Sequence, residues 1–244
     1  MKIFTYGVGR RQKRAEEILS RKNSRYDTLV LLPIPTTKDK KTVCGTDIPL
    51  RAAFERCAPG VLVVGYSLPE DFCKECFARG ARVYDAAEDE DFLVRNADIT
   101  AEGALGRLLT SFPCALRDMR IGIIGYGRIG RRLSELILSL YGKIVVYTRS
   151  HKTRMELGES GIETRLFYED CDFSGIDILM NTAPTRIVSE EGAERFPRGL
   201  TVFELASGDN FPDGIGAVRL ASLPEKMYPE TAGAIYAEFI ERQL

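Results

Sequence analysis

Short apolar runs alternate with amphipathic stretches along the whole chain. Lys2–Tyr6, Thr28–Leu32, Val61–Val64 and Ala81–Tyr84 have the apolar and β-branched character of strands, whereas Gln12–Ser20 and Pro69–Ala78 repeat apolar positions at helical spacing. Pro33 and Pro35 end the second strand, and a polar loop runs from Thr36 to Thr46. Asp47, two residues before Pro49, predicts a capped helix reaching about Cys57. The acidic run Glu88–Asp91 reads as a connector, followed by a helix over Ile99–Ser111 with Thr100 as cap and Ala104, Leu105, Leu108 and Leu109 on its apolar face. Beyond Arg120, strands are predicted at Ile121–Gly125, Ile144–Thr148, Glu163–Leu166, Ile176–Met180, Thr201–Leu205 and Ala217–Leu220, and a last helix at Thr231–Arg242. Strands spaced by helices predict α/β structure with parallel sheets covered on both faces. The expected division is an α/β domain over residues 1–98, a second α/β domain over 99–230, and a terminal helix over 231–244 that can pack back on the first.

One stretch carries chemistry. The apolar run Ile121, Ile123, Ile124 flows into Gly125-Tyr126-Gly127-Arg128-Ile129-Gly130 and then into Leu133, Leu136, Ile137 and Leu140 at helical spacing. This is a strand, a tight turn and a helix, with a second strand following at Lys143–Thr148. Gly125 permits the turn, Gly127 lets backbone approach a diphosphate, and Gly130 lets the helix pack closely on the strand. The free N–H groups of the helix N-terminus complete an anion cradle. The pattern predicts a Rossmann dinucleotide-binding unit over residues 99–230.

Composition narrows the class. With 244 residues, 44% hydrophobic and 28% charged, the chain can bury a real core, and its net charge of −1 provides no global field for nucleic acid. No apolar run approaches the roughly 20 residues that span a bilayer, and the N-terminus lacks a signal-peptide core. Six scattered cysteines without a secretion signal point to reduced thiols in the cytoplasm. Cys73 and Cys76 form a single C-x-x-C on a predicted helix; with no second pair to complete a zinc site, they read as core packing and no metal is expected.

An NAD-binding unit usually places Asp or Glu after its second strand. Here the strand ends Tyr147-Thr148-Arg149-Ser150, without a carboxylate. Arg149, Ser150 and Lys152, with Thr148 behind them, fit a 2′-phosphate, so NADP is favoured with NAD as the alternative. His151, the only histidine, lies in this loop, and its position excludes histidine-based acid–base chemistry. Loops after later strands should also face the cofactor: Thr182, Ala183 and Pro184; Ala206; and Leu223 and Pro224. Each is also an ordinary turn residue.

The glycine unit, Asp98–Gly103, N-T-A-P at Asn181–Pro184, E-L-A-S at Glu204–Ser207, L-P-x-x-x-x-P-E-T-A-G at Leu223–Gly233 and L-P-I-P-T at Leu32–Thr36 together resemble the A-subunit family of dipicolinate synthase. Gly7–Gln12 shares the family's G-x-x-x-R-Q more weakly. The resemblance covers nearly the whole chain and is strongest from Asp98 onward. It implies the architecture of D-2-hydroxyacid dehydrogenases: a flavodoxin-like N-terminal domain and a Rossmann NAD(P)-binding domain. It also implies conversion of a cyclised, hydroxylated tetrahydrodipicolinate to dipicolinate in sporulating bacteria, with a flavoprotein-like B subunit, and a homodimer. The substrate so implied is a ring bearing two carboxylates.

The chain departs from the family in three places. The first domain is short by about one strand–helix unit, Gly208 and Asp209 stand where the family carries an arginine after E-L-A-S, and Glu225 replaces a glycine after Leu223-Pro224.

A dicarboxylate needs cationic or N–H partners. The loop Gly7–Arg11, between a strand and a helix, is a candidate cradle with Arg11 the family-matched residue, in a segment where Met1–Lys41 hold 11 Lys or Arg against four Asp or Glu. Thr36 and Thr37 at the mouth of the second strand, with Arg186 and Tyr228, are further substrate-binding candidates. Thr185 is a catalytic candidate, as are Glu102 and Glu230 if burial raises their pKa; Glu230 fits a helix N-terminal role equally well. Two other functions fit the same residues: a dehydrogenase of another small carboxylate, and a non-catalytic NADP-binding subunit.

Overall fold

The computed structural model describes residues Met1–Leu244 and divides into two compact units, Met1–Asn96 with Pro224–Leu244, and Ala97–Leu223. Both are parallel α/β structures, as the alternating pattern requires.

The first unit holds β1 (Lys2–Thr5), α1 (Arg10–Leu19), β2 (Thr28–Leu31), β3 (Val61–Gly65), α2 (Glu70–Ala78) and β4 (Arg82–Asp85). Its four strands run in the order β1-β2-β3-β4, all parallel. A flavodoxin-like sheet has the order 2-1-3-4-5. Removing its second strand leaves the order seen here, which is the missing strand–helix unit expressed as topology. Leu29, Val30, Leu31 and Leu32 are all fully buried, so both faces of the sheet are covered. On one side Val30, Leu32 and Val63 pack with Leu50, Ala53, Phe72 and Cys76.

The expected helix from Asp47 is instead a 3-10 helix, Leu50–Arg56, which Pro49 precedes. Asp47 caps nothing there, and only Leu50 and Ala53 of the segment are buried, too narrow an apolar stripe to hold a longer α-helix.

The predicted connector is also helical. α3 spans Glu90–Ser111, beginning nine residues before the predicted start at Ile99. The Asp89 carboxylate accepts from Phe92 N at 2.8 Å, and Glu90 and Asp91 occupy the first turn, where the helix dipole favours acids. Thr100 is consequently no cap: it lies buried within the helix.

The terminal helix α7 (Pro229–Glu241) follows the short α6 (Leu223–Met227). It packs on α1 so closely that a side chain at Gly233 would come within 2.7 Å of the Arg11 carbonyl oxygen. Tyr236 is completely buried and donates to the Leu32 carbonyl at 3.0 Å.

The second unit holds β5 (Arg120–Ile124), α4 (Arg128–Ser139), β6 (Lys143–Thr148), α5 (His151–Glu159), β7 (Glu163–Leu166), β8 (Ile178–Asn181), β9 (Thr201–Glu204) and β10 (Val218–Arg219). The sheet order is β10-β9-β8-β5-β6-β7, all parallel. Sequence order reverses between β5 and β8. At such a switch point the loops from neighbouring strands diverge and leave a crevice at their carboxyl ends.

Candidate functional site

At the β5–β8 switch point the glycine loop has the geometry its spacing predicts. Gly125 adopts φ +87°, a left-handed conformation that side chains disfavour. A Cβ on Gly130 would lie 2.2 Å from the Gly125 carbonyl oxygen and 3.0 Å from Thr182 Oγ1, so α4 can rest on the turn only with glycine there. Gly127, the residue preceding α4, is the opposite case. Its φ is −80°, and a Cβ there would meet no atom within 4 Å. The space above Gly127 is therefore open, at the end of a helix whose first N–H groups lack intrahelical acceptors. An exposed glycine on an open helix N-terminus beside a locked one fits a dinucleotide diphosphate. Ile129 is half-buried in the first turn of α4, and Arg128 is exposed beside it. Tyr126 is half-buried beneath the Arg131 guanidinium, 5.6 Å from its ring centre, and burial pushes its phenol pKa up.

Beyond β6, Thr148 is buried and its hydroxyl accepts from Ser150 N at 3.2 Å. Ser150 Oγ caps α5, accepting from Thr153 N at 3.1 Å. Arg149 is exposed over the Phe167 ring, and Lys152 is 86% exposed near Glu156. Two cations thus flank the N-terminus of α5 where an acidic residue would repel a phosphate. His151 is exposed at the start of the same helix.

The crevice loops are fastened by a cluster centred on Glu204, the first residue of the E-L-A-S stretch. Asn181 and Glu204 end β8 and β9 in paired register and are buried, as is Asn210. The Glu204 carboxylate accepts from Asn181 Nδ2 (3.0 and 3.1 Å), Ala206 N (2.8 Å) and Asn210 Nδ2 (3.1 Å). Asn181 Oδ1 accepts from Ala183 N at 3.0 Å. Thr182 donates its hydroxyl to the Ile124 carbonyl at 2.8 Å, tying this loop to the end of β5. Burial raises the Glu204 carboxyl, against these N–H donations. Thr182, Ala183 and Ala206 are therefore held in place by hydrogen bonds. Pro184 is exposed beside them, while Leu223 and Pro224 are buried.

The remaining candidates fall into distinct settings. Thr185 is half-buried after β8, and Arg186 is committed to the Val188 carbonyl and Glu190, both at 2.8 Å. Glu102 is exposed on α3, and Glu230 is 73% exposed and paired with Arg14 at 3.0 Å. The burial that was to raise both carboxyls is absent, and Glu230 sits in the first turn of α7, in keeping with a helix-terminal role. Thr36 is fully buried: its hydroxyl donates to the Pro33 carbonyl and accepts from Tyr66 N, so it clips two strand-end loops together and has no exposed face for a ligand. Thr37 turns its hydroxyl to Asp39, and Tyr228 is half-buried immediately before α7. Arg11 is 4% exposed with its Nε enclosed and unpartnered. Cys76, rather than pairing with Cys73, lies 3.4 Å from Cys57 in the core of the first unit.

Residues 94–211 match the family model of the D-isomer specific 2-hydroxyacid dehydrogenase NAD binding domain. Among solved structures, the A subunit of dipicolinate synthase from Bacillus halodurans superposes with a TM-score of 0.80 at 20% identity, covering 99% of this chain and 97% of that one. The corresponding dipicolinate synthase chain from Bacillus subtilis gives a TM-score of 0.78 at 18% identity, over 100% and 95%. A D-isomer specific 2-hydroxyacid dehydrogenase from Xanthobacter autotrophicus Py2, solved in complex with NADPH and MES, gives 0.54 at 13% identity, over 98% and 94%. No curated protein matches by sequence. The resemblance to dipicolinate synthase thus extends over the whole fold, and the second unit has the fold of a dehydrogenase nicotinamide-nucleotide domain.

Proposed function

We propose that the chain is an NADP-dependent oxidoreductase of the dipicolinate synthase type, acting on a small ring dicarboxylate. The observation that carries this is the open Gly127 beside the locked Gly130, within a chain whose whole length shares that fold. Gly125–Gly130 and the N-terminus of α4 hold the diphosphate; Arg149, Ser150 and Lys152 hold the 2′-phosphate; and the loops pinned by Glu204 border the nicotinamide. When bound, the nicotinamide supplies the hydride acceptor. Arg11 takes a substrate carboxylate, and Thr185 is the remaining hydroxyl able to orient a ligand or hold a proton. The same reading gives a cytoplasmic homodimer and the flavoprotein-like B subunit of dipicolinate synthase as partner. No helix of the chain is long and apolar enough to cross a membrane.

The test is nicotinamide absorbance on mixing the chain, the flavoprotein-like partner and a cyclised hydroxy-tetrahydrodipicolinate with NADP. Turnover supports the proposal; nicotinamide binding without hydride transfer favours a non-catalytic nucleotide-binding subunit. That second reading draws on one observation, the exposure of both Glu102 and Glu230.

Cofactor choice has its own test. Each charge-assisted contact to a phosphate contributes about 1.5–3 kcal/mol. Arg149→Asp is therefore expected to weaken NADPH binding at least about 10-fold and to leave NADH nearly unchanged. Equal losses for both nucleotides in a calorimetric titration would remove Arg149 from the 2′-phosphate site.

A further inference from the structure

Three of the six cysteines gather where the 3-10 helix Leu50–Arg56 packs on α2. Cys73 and Cys76 stand three apart on α2, yet the sulfur in contact with Cys76 is that of Cys57, at 3.4 Å. Cys57 directly follows the 3-10 helix and is half-buried, with its sulfur also 3.4 Å from the Ala53 carbonyl oxygen. Cys76 is fully buried in the core that Leu50, Ala53 and Phe72 share. The two cysteines are 19 residues apart in sequence, so the fold and not chain proximity brings them together. The packing around them is close. Phe54 and Phe72 stack at 5.2 Å between ring centres, and Arg79 lies 5.4 Å from the Phe54 ring while bonded to Glu75 at 2.7 Å.

The thiols of this cluster differ in chemistry. The Cys57 pKa is lowered, because its thiolate accepts the Cys76 S–H and feels the field of Arg79. Cys76 is pushed the other way, by that same hydrogen bond and then by burial. Cys73 is also raised, by burial and by the field of Asp85. Thiol oxidation begins at a thiolate that the oxidant can reach. Cys57 combines access with thiolate character, and Cys76 is the sulfur already against it. Joining them requires an approach of about 1.4 Å, small beside the span of a disulfide between two backbones.

We propose that Cys57 and Cys76 form a reversible oxidation site, which a hydroperoxide converts to a disulfide between the segment Leu50–Cys57 and α2. The Cys57 thiolate attacks the hydroperoxide, the O–O bond breaks, and Cys57 becomes a sulfenic acid while the leaving oxygen departs as protonated alcohol or water. The Cys76 sulfur then attacks the Cys57 sulfur, the S–O bond breaks, and the hydroxyl leaves with the Cys76 proton as water. Two thiols thereby lose two electrons and two protons, and the hydroperoxide is reduced. Phe54 and Phe72 line one cavity of about 700 Å³, together with Leu50 and Pro69. The new bond fastens the two elements that carry them. The site does not depend on the oxidoreductase reading.

The test is peptide mapping of the full, folded chain after treatment with hydrogen peroxide, continued until the exposed Cys114 of the second unit has reacted. Cleavage after Glu70 and Lys74 separates Cys57, Cys73 and Cys76 onto different peptides. The expected result is the Cys57 peptide linked to the Cys76 peptide, a link that dithiothreitol opens. Cys57→Ser is expected to lose it and Cys73→Ser to keep it; the wild-type map decides the matter should either variant not fold. In urea, where the fold no longer sets the pairing, a mixture of links is expected. A link from Cys73 to Cys76 in the folded chain overturns the proposal, as does a Cys57 thiol that survives the treatment. Sulfinic acid at Cys57 with Cys76 still a thiol overturns it too, as does the same exclusive Cys57–Cys76 link in urea.

Discussion

Gly127→Ala is expected to weaken nicotinamide dinucleotide binding at least about 10-fold while changing stability by no more than about 1 kcal/mol, the usual cost of alanine at a helix N-cap. Gly130→Val is expected to abolish binding and to cost about 3 kcal/mol of stability through overpacking. The contrast follows from space. An alanine methyl at Gly127 meets no protein atom within 4 Å, so only a bound group can collide with it. At Gly130 the added carbon falls 2.2 Å from the Gly125 carbonyl oxygen, and α4 must move off the sheet to relieve the clash. That displacement carries the anion-binding N–H groups with it. Denaturant unfolding and calorimetric titration of the two variants separate the roles. Wild-type affinity in Gly127→Ala would mean that the loop is only a turn.

The second large effect is expected at Glu204. Glu204→Gln keeps the shape but puts an amide N–H₂ where the carboxylate accepts from Asn181, Asn210 and Ala206. Asn181 cannot turn over to help, because its Oδ1 already accepts from Ala183 N, and the Asn210 amide also donates to the Ser207 carbonyl. Opposed donors in a buried site cost about 2 kcal/mol. The loops after β8 and β9 lose their fastening together, so nicotinamide affinity is expected to fall along with stability. The pH dependence has a definite sign. Burial holds the folded Glu204 carboxyl above its unfolded value. Its contribution is thus complete below about 4.3, the ordinary glutamate value, and is lost as pH rises through the folded value. Glu204→Gln lacks this step, so the difference between the proteins is largest on the acid side and narrows as pH rises. Denaturant midpoints measured across that range check it, and an unchanged midpoint in the variant would remove Glu204 from the stabilising cluster.

The glycine loop was legible in sequence because each glycine answers a local steric demand at fixed spacing, and the strand and helix around it have unmistakable periods. The absence of a carboxylate after β6 was legible for a similar reason: it is a local fact. Glu204 stands out in sequence only as the first residue of E-L-A-S; its role as an acceptor was not legible, because its partners Asn181 and Asn210 are assembled by strand pairing and a loop return. The hint available was polarity inside an otherwise apolar central strand. The start of α3 is hidden in sequence because the run Glu88–Asp91 reads as charge, although Asp89 caps the helix and Glu90 and Asp91 form its acidic first turn. Thr36 looked like a ligand contact from its place after a strand, but its hydroxyl closes a bond to Tyr66 that lies 30 residues away in sequence. The sequence pattern starts the first helix at Gln12, whereas Arg10 and Arg11 already lie in the first turn of α1.

Titrating the intact chain with NADPH and with NADH tests the central claim most directly. The account predicts one nicotinamide site per chain, with NADPH bound tighter than NADH. Failure of both nucleotides to bind would contradict it and leave the Gly125–Gly130 loop a structural turn.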